Sequence, residues 1–187
     1  MTNSEDAVAS GPTPQALVER LTRLLTVTPQ SEDHFVGKRM PGGVGRVFGG
    51  EVIAQALMAA TAAVDPDRLA HSLHAYFLRG GSEESDITYR VERDFDGGSF
   101  SARRVIAEQD GRPILNLAAS FHKREAGVSH QDAMPEVPPP EDLASEVELR
   151  RAVIDKIPEQ MRRQMTRPRA IEFRPVEARH WMNSEAD

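Results

Sequence analysis

The stretch GGEVIAQALMAATAAV, residues 49–64, predicts a helix that is buried on most of its surface. Ala, Leu and Met dominate it, no Gly or Pro follows Gly50 within it, and Asp65-Pro66 ends it. Between Val52 and Val64 the segment carries no charged residue. Because such a helix has no polar face to turn toward water, the rest of the domain has to pack around it.

Four segments with alternating apolar residues follow this helix and predict long antiparallel strands. They are RLAHSLHAYFLR (68–79), DITYRVERDF (86–95), SFSARRVIAEQ (99–109) and RPILNLAASFHKRE (112–125), and glycine-containing turns separate them. A short strand at Phe35-Val36 precedes the helix. We therefore expect an α+β domain with the hot-dog fold, in which one long antiparallel sheet wraps around a central buried helix.

The two ends of the chain differ in character from this central part. Residues 1–11 are small, polar and acidic and predict a disordered leader, and residues 12–125 form the predicted hot-dog domain. That domain begins with an amphipathic helix whose apolar stripe consists of Leu17, Leu21, Leu24 and Leu25. Residues 126–187 contain a proline-rich linker, a charged helix broken at Pro158 and a strand-like segment, AIEFRPVE (170–177).

The composition excludes several classes of function. The formal net charge is −6, whereas a nucleic-acid-binding protein needs a concentrated basic face. The chain has no cysteine, which excludes disulfides, thiolate-bound metals and cysteine nucleophiles. No segment approaches the roughly 18–20 apolar residues of a membrane helix, and the N-terminus lacks the features of a signal peptide. We expect a cytoplasmic protein that binds neither nucleic acid nor membrane.

The stretch from Arg46 to Phe121 resembles the N-terminal half of the acyl-CoA thioesterase II family. The resemblance lies in RVFGGEVIAQAL, HSLHAYFLRGG, YRVERDFDGGSFSARRVIAEQDGRPI and AASF, and the linker HQDAMPEVPPPEDL and the later IEFRPVE are similar to the family's inter-domain segment. It implies two tandem hot-dog units that hydrolyse fatty acyl-CoA to free acid and CoA. It also implies that the catalytic Asp, Thr or Ser, and Gln lie on a second unit, which we expect to start beyond the end of this chain.

Two positions depart from the family's pattern. The family usually has glutamine after the Phe-Gly-Gly, whereas this sequence has Glu51. The sequence also has Arg-Gly-Gly-Ser from Arg79 onward, where the family prefers Arg-Pro-Gly-Asp. We therefore expect the turn after Arg79 to differ from the family's turn.

The start of the central helix is the predicted thioester site. Hydrolysis of a thioester needs either an activated water or a carboxylate nucleophile, together with donors aimed at the developing oxyanion. The resemblance implies that the carbonyl lies at Phe48-Gly49-Gly50, where free N–H groups and the positive end of the helix stabilise it. Glu51 adds a carboxylate in the same turn, and its alternative interpretation is a favourable charge at a helix start.

Three further residues are candidates for the site. The internal similarity of the family's two halves implies that His71 lies near the position of the catalytic threonine, and a structural histidine is the alternative. On a regular strand His71 and His74 face opposite sides of the sheet. Arg103 and Arg104 are candidates for binding the CoA phosphates, with a solvated strand face as the alternative. We predict no metal site and no cofactor, since CoA is part of the substrate.

Three functions are compatible with these features. The leading hypothesis is an acyl-CoA hydrolase that uses Glu51 and His71, with a homo-oligomer formed through the hot-dog sheet edge in place of the second unit. The second is a non-catalytic half that binds the acyl group or serves as a scaffold in a two-domain thioesterase. The third is a hydratase or dehydratase of β-hydroxyacyl thioesters, in which a histidine and an acidic partner move the proton.

Overall fold

A computed structural model describes residues 11–39 and 45–177 of the chain. The helices are α1 (Pro14–Leu25), α2 (Gly49–Ala62), α3 (Glu146–Ala152) and α4 (Glu159–Met165). The strands are β1 (Val27–Ser31), β2 (His34–Gly37), β3 (Arg68–Phe77), β4 (Ile87–Asp96), β5 (Phe100–Gln109) and β6 (Arg112–Lys123). Two short 3-10 turns cover Pro140–Asp142 and Ile154–Lys156.

The chain divides into two compact units. One consists of Leu21–Val128, and the other of the described residues of Met1–Arg20 and Ser129–Asp187. The first unit differs from the predicted domain of residues 12–125 mainly at its N-terminal boundary, which lies inside α1. Except for Gly11, the predicted leader of residues 1–11 lies outside the described residues.

The unit Leu21–Val128 is built on one antiparallel sheet with the strand order β1-β2-β4-β5-β6-β3. The four long strands and the short strand at Phe35-Val36 are confirmed. Strand β1 was not predicted; it contains Pro29 and pairs with β2 at the edge of the sheet. Proline removes a backbone donor, and an edge strand tolerates that loss because one side of it needs no partner.

The central helix packs against one face of this sheet, as predicted. On β5 and β6 every second residue points toward α2, so that Val105, Leu115, Leu117 and Phe121 are almost fully buried. From α2 the side chains of Val52, Ala56, Ala59 and Ala60 complete the core. Small alanine side chains allow the helix to approach the sheet closely. The opposite face, which carries Phe100, Arg104, Ser120 and His122, is called the outer face below.

The second unit contains the short helices α3 and α4. Ser145 caps α3 by accepting a hydrogen bond from the Glu148 backbone N–H at 3.2 Å, and the Glu148 carboxylate accepts one from the Ser145 N–H at 2.8 Å. The predicted charged helix is broken near Pro158 into α3 and α4. The predicted strand at residues 170–177 is wrong, because this segment is irregular. The Phe173 carbonyl instead accepts a single hydrogen bond from the Glu146 N–H at 2.8 Å.

Candidate active site

A cavity of about 430 Å³ lies beside the first turn of α2. Four parts of the unit form it, namely the chain before α2, the first turn of α2, the end of β3 with the loop that follows, and one residue of β6. Its lining consists of Arg46, Val47, Gly49, Val52, Phe77, Leu78, Arg79, Gly80, Gly81 and Ile114. The volume falls in the range of small-molecule sites, about 300–1,000 Å³.

Backbone and side-chain hydrogen bonds fix the walls of this cavity. Val47 N–H donates to Gly81 O at 3.0 Å, and Leu78 N–H donates to Ile114 O at 2.9 Å. The buried Gln109 amide closes the loop after β3, because it accepts from the Ser82 N–H at 2.8 Å and donates to two carbonyls of the same loop. The cavity is therefore shaped before any ligand arrives.

The first turn of α2 has backbone donors without an acceptor in the described part of the chain, and Gly49, which carries one of them, lines the cavity. Phe48 occupies the N-cap position in an extended conformation and supplies no capping hydrogen bond. Its carbonyl accepts from the Glu51 N–H at 3.0 Å, whereas the N–H groups of Gly49 and Gly50 have no acceptor among the described residues. A Cβ at Gly49 would lie 2.8 Å from the Phe77 ring. Glycine is therefore what allows the helix to begin against the end of β3.

Glu51 lies in the same turn but belongs to a different environment. It is 7% exposed, and it is absent from the cavity lining. Burial raises the pKa of the Tyr89 hydroxyl above its ordinary value, and the nearby Glu51 carboxylate adds to the rise. Tyr89 donates to Gln55 Oε1 at 2.8 Å. The structure therefore places Glu51 beside a buried polar pair of α2 and β4.

His71 does not lie at the start of α2 in this chain. The pairing of β3 with β6 shifts between Ala70 and Ser72, so His71 sits at a β-bulge. Its Nε2 lies 2.8 Å from Ser120 Oγ, and its ring contacts Phe100 and His122 edge-on. These neighbours are on the outer face, and Phe77, beside Gly49, is roughly 20 Å further along the strand.

The prediction that His71 and His74 face opposite sides is therefore wrong. His74 pairs with Ala118 and Ser72 pairs with Ser120, which puts His74 on the outer face together with His71. A bulge inserts one residue without a partner and so changes the parity of the strand. Two histidines at odd spacing thus reach the same face.

The prediction that Arg103 binds the CoA phosphates is contradicted by its burial. Its side chain is 2% exposed, and all five N–H donors are used. Nε and Nη2 donate to Ala63 O, the C-cap carbonyl of α2, at 3.0 and 2.9 Å. The others bond Asp96, at 2.7 Å, and the carbonyls of Phe95 and Ala102. Arg103 therefore anchors the C-terminal end of α2.

Arg104 lies on the outer face, away from the cavity. Its side chain is 52% exposed and pairs with Glu92 and, at 3.5 Å, with Asp94. The structure therefore does not bring either of the two predicted phosphate-binding arginines to α2's first turn. The arginines that do line the cavity are Arg46 and Arg79, which the sequence analysis did not select. The sequence could have pointed to both, since Arg46 begins the segment RVFGG and Arg79 directly precedes Gly80-Gly81, and both segments are part of the resemblance to the family.

The arrangement of sheet and helix defines the fold class of this protein. A single antiparallel sheet that packs one face around a central helix is the hot-dog fold. Residues 38–122 match the family described as acyl-CoA thioesterase N-terminal domain. These residues belong to that family, and the hot-dog unit that they form corresponds to the N-terminal domain of acyl-CoA thioesterases.

Three similar proteins illustrate the relationship. Acyl-coenzyme A thioesterase 8 of Homo sapiens is 44% identical over 124 residues, which are 66% of this chain and 39% of that protein. Acyl-CoA thioesterase 2 of Haemophilus influenzae is 37% identical over 158 residues, which are 84% of this chain and 55% of that protein. The crystal structure of an acyl-CoA thioesterase II from Mycobacterium marinum is 41% identical, with a TM-score of 0.58 over 64% of this chain and 44% of that one.

The chain thus spans about 39–55% of the length of these curated relatives. Among residues 11–39 and 45–177, no three His, Asp or Glu side chains cluster so that they could hold a metal ion. No helix in the described part of the chain is long and apolar enough to span a bilayer.

Proposed function

We propose that this chain contributes to the hydrolysis of fatty acyl-CoA to free fatty acid and CoA, with the thioester carbonyl held at the first turn of α2. The observation that carries the proposal is the cavity beside Gly49, in a unit that belongs to an acyl-CoA thioesterase family. The N–H groups of Gly49 and Gly50 are the donors for the carbonyl oxygen. Donors fixed before the reaction stabilise a developing oxyanion without reorganisation. We place the reaction in the cytoplasm, in keeping with a cysteine-free, acidic chain.

In the proposed reaction a water oxygen attacks the thioester carbonyl carbon, and its proton passes to a base. The tetrahedral oxyanion then expels the CoA thiolate as the carbon–sulfur bond breaks, and the thiolate takes up a proton. The residues that line the cavity include no carboxylate and no histidine. The proposed base is Glu51, the only carboxylate of α2 and the residue that follows the donor Gly50, although its side chain is buried outside the residues that line the cavity.

A pair of variants at Gly49 tests the donor role. Gly49→Ala and Gly49→Pro both add a Cβ against Phe77, but only proline removes the N–H group. Proline is well tolerated at the first helical position, and the extended Phe48, with ψ 124°, is the backbone that a following proline requires. We expect Gly49→Pro to lower kcat about 10²-fold below Gly49→Ala. Equal kcat values for the two variants, with unchanged circular dichroism, would exclude the Gly49 donor.

Glu51→Gln tests the proposed base. The exchange keeps the size of the side chain and removes its charge. If Glu51 activates the water, kcat for decanoyl-CoA falls by roughly 10²-fold or more while KM changes little. A Glu51→Gln protein with full kcat would assign Glu51 to the buried polar pair with Tyr89, and would move the base to a second hot-dog unit.

The proposed partner is a second copy of this chain, docked along β3. This strand is the edge of the sheet next to β6, and it exposes Leu69, Leu73, Tyr76 and Phe77 by 43–64%. Free edge strands with apolar side chains pair readily with another chain. We expect a dimer by light scattering and a monomer for Leu73→Lys; a wild-type monomer would exclude this pairing.

The second candidate is a non-catalytic half that serves a two-domain thioesterase as scaffold. The observation in its favour is that the chain spans only part of the length of its relatives. On this hypothesis a folded preparation of the 187-residue chain releases no CoA, whereas a version extended by a second hot-dog unit does.

A further inference from the structure

The cavity beside α2 combines two arginines with an apolar wall. Arg46 and Arg79 both line it, and the rest of the wall includes Val47, Val52, Phe77, Leu78 and Ile114. A uniformly apolar cavity would suit only the acyl chain, and a uniformly basic one would suit only phosphates. The combination is the one that recognises an amphiphile with a small anionic head.

The position of Arg46 depends on the glycines after β3. A Cβ at Gly80 would lie 3.1 Å from Arg46 Nε and 3.2 Å from its Cδ, so a side chain there would crowd the guanidinium. The backbone of Arg46 forms an isolated antiparallel bridge with Ser82, which fixes the start of the side chain. The Gly-Gly of this turn therefore leaves the space in which the guanidinium lies.

Arg79 is held at one nitrogen and leaves the remaining donors for a ligand. Its Nη1 donates to Pro113 O at 2.7 Å. Neither Arg46 nor Arg79 forms an ion pair with a residue in the described ranges. By contrast, all four arginines of β4 and β5 pair with a carboxylate, namely Arg90, Arg93, Arg103 and Arg104.

We infer that Arg46 and Arg79 bind the carboxylate of a medium-chain fatty acid, the acid's alkyl chain lying against the apolar wall. The inference deepens the proposed function and rests on it, because that acid is the product. Arg46 is only three residues before Gly49, so an oxyanion at the Gly49 N–H lies in the same cavity as the guanidinium. The CoA phosphates are separated from the thioester by the whole pantetheine arm. Guanidinium groups match carboxylates with paired, charge-assisted hydrogen bonds.

Retention of the product has a kinetic consequence. A free fatty acid in this cavity occupies the place of the thioester carbonyl, so it competes with the acyl-CoA substrate. We expect octanoate to inhibit competitively, and its uncharged analogue octan-1-ol to inhibit far less.

Equilibrium binding tests the inference without requiring turnover. Octanoate and octan-1-ol are titrated by calorimetry at pH 7 into the full 187-residue chain, into Arg46→Gln and into the control Arg104→Gln. Arg46 has no side-chain hydrogen bond to a described residue that the exchange would break, so the fold should persist. We expect wild type and Arg104→Gln to prefer octanoate over octanol, and Arg46→Gln to bind octanoate about 10-fold or more weakly.

Three outcomes would overturn the inference, namely equal binding of octanoate and octanol, no effect of Arg46→Gln, or displacement of octanoate by adenosine 3′,5′-bisphosphate. The last would show that phosphate occupies the subsite. The proposed function is judged separately by CoA release. Arginine-dependent octanoate binding without turnover refutes the hydrolase only, and turnover without such binding refutes the carboxylate subsite only.

Discussion

Replacement of Arg103 by alanine is the sharpest test of the way in which α2 is held on the sheet. The guanidinium is 2% exposed and donates five hydrogen bonds, two of them to the C-cap carbonyl of Ala63. Each buried carbonyl left without a donor costs about 1–3 kcal/mol, and a buried cavity adds to this. Because Asp96 is half exposed and can be rehydrated, we expect a loss of roughly 3–5 kcal/mol in the free energy of unfolding.

The neighbouring Arg104→Ala is the matched control. Its side chain is 52% exposed and its ion pairs lie at the surface, so the expected loss is at most about 1 kcal/mol. Urea unfolding followed by far-UV circular dichroism measures both values by linear extrapolation. Arg103→Lys should recover only part of the loss, since an ammonium lacks the planar fork. An Arg103→Ala protein within 1 kcal/mol of wild type, or one no less stable than Arg104→Ala, would refute the anchoring role.

Three other predictions concern the same unit. Gly37→Ala should lower the free energy of unfolding by roughly 1–3 kcal/mol, because a Cβ there overlaps the Gln55 amide and lies 2.8 Å from the Tyr89 ring. The control is Gly98→Ala, which has open space around it. Its free energy of unfolding, measured with urea, should change by less than about 0.5 kcal/mol. The hydrogen bonds from Arg103 and Ser101 hold the pKa of Asp96 below its ordinary value of 3.8. The stabilisation is therefore complete above about pH 4 and is lost as pH falls through the lower folded pKa, so acid titration should destabilise wild type more steeply than Asp96→Asn, and parallel curves would contradict this. His71→Ala should leave kcat for decanoyl-CoA within about 3-fold of wild type, since His71 lies on the outer face; a 10²-fold loss would place it in a site shared with another unit.

The helix and strands of the hot-dog unit were predictable because each carries a strong local pattern. The uncharged stretch from Val52 to Val64 can only be a buried helix, and the alternation in β4, β5 and β6 fixes which residues reach the core. The same alternation also predicts that Arg103 is buried. It lies two residues before the buried Val105, and so its burial follows from the strand's period of two.

The remaining features depend on information that a single strand does not carry. The bulge at His71 arises from the pairing of β3 with β6, and nothing in the sequence HSLH marks the shift. Strand β1 contains Pro29 and polar residues, a composition that also fits a loop. Arg46 and Arg79 are 33 positions apart and line the same cavity because the chain before α2 pairs with the loop after β3.

We propose above all that this hot-dog unit contributes to the hydrolysis of fatty acyl-CoA at the first turn of α2. The most direct measurement is CoA release from decanoyl-CoA by the purified 187-residue chain, with a thiol-reactive reporter, in a fraction whose solution mass has been determined. We expect CoA release by a fraction with the mass of a dimer. A folded dimer that releases CoA no faster than buffer does would contradict it.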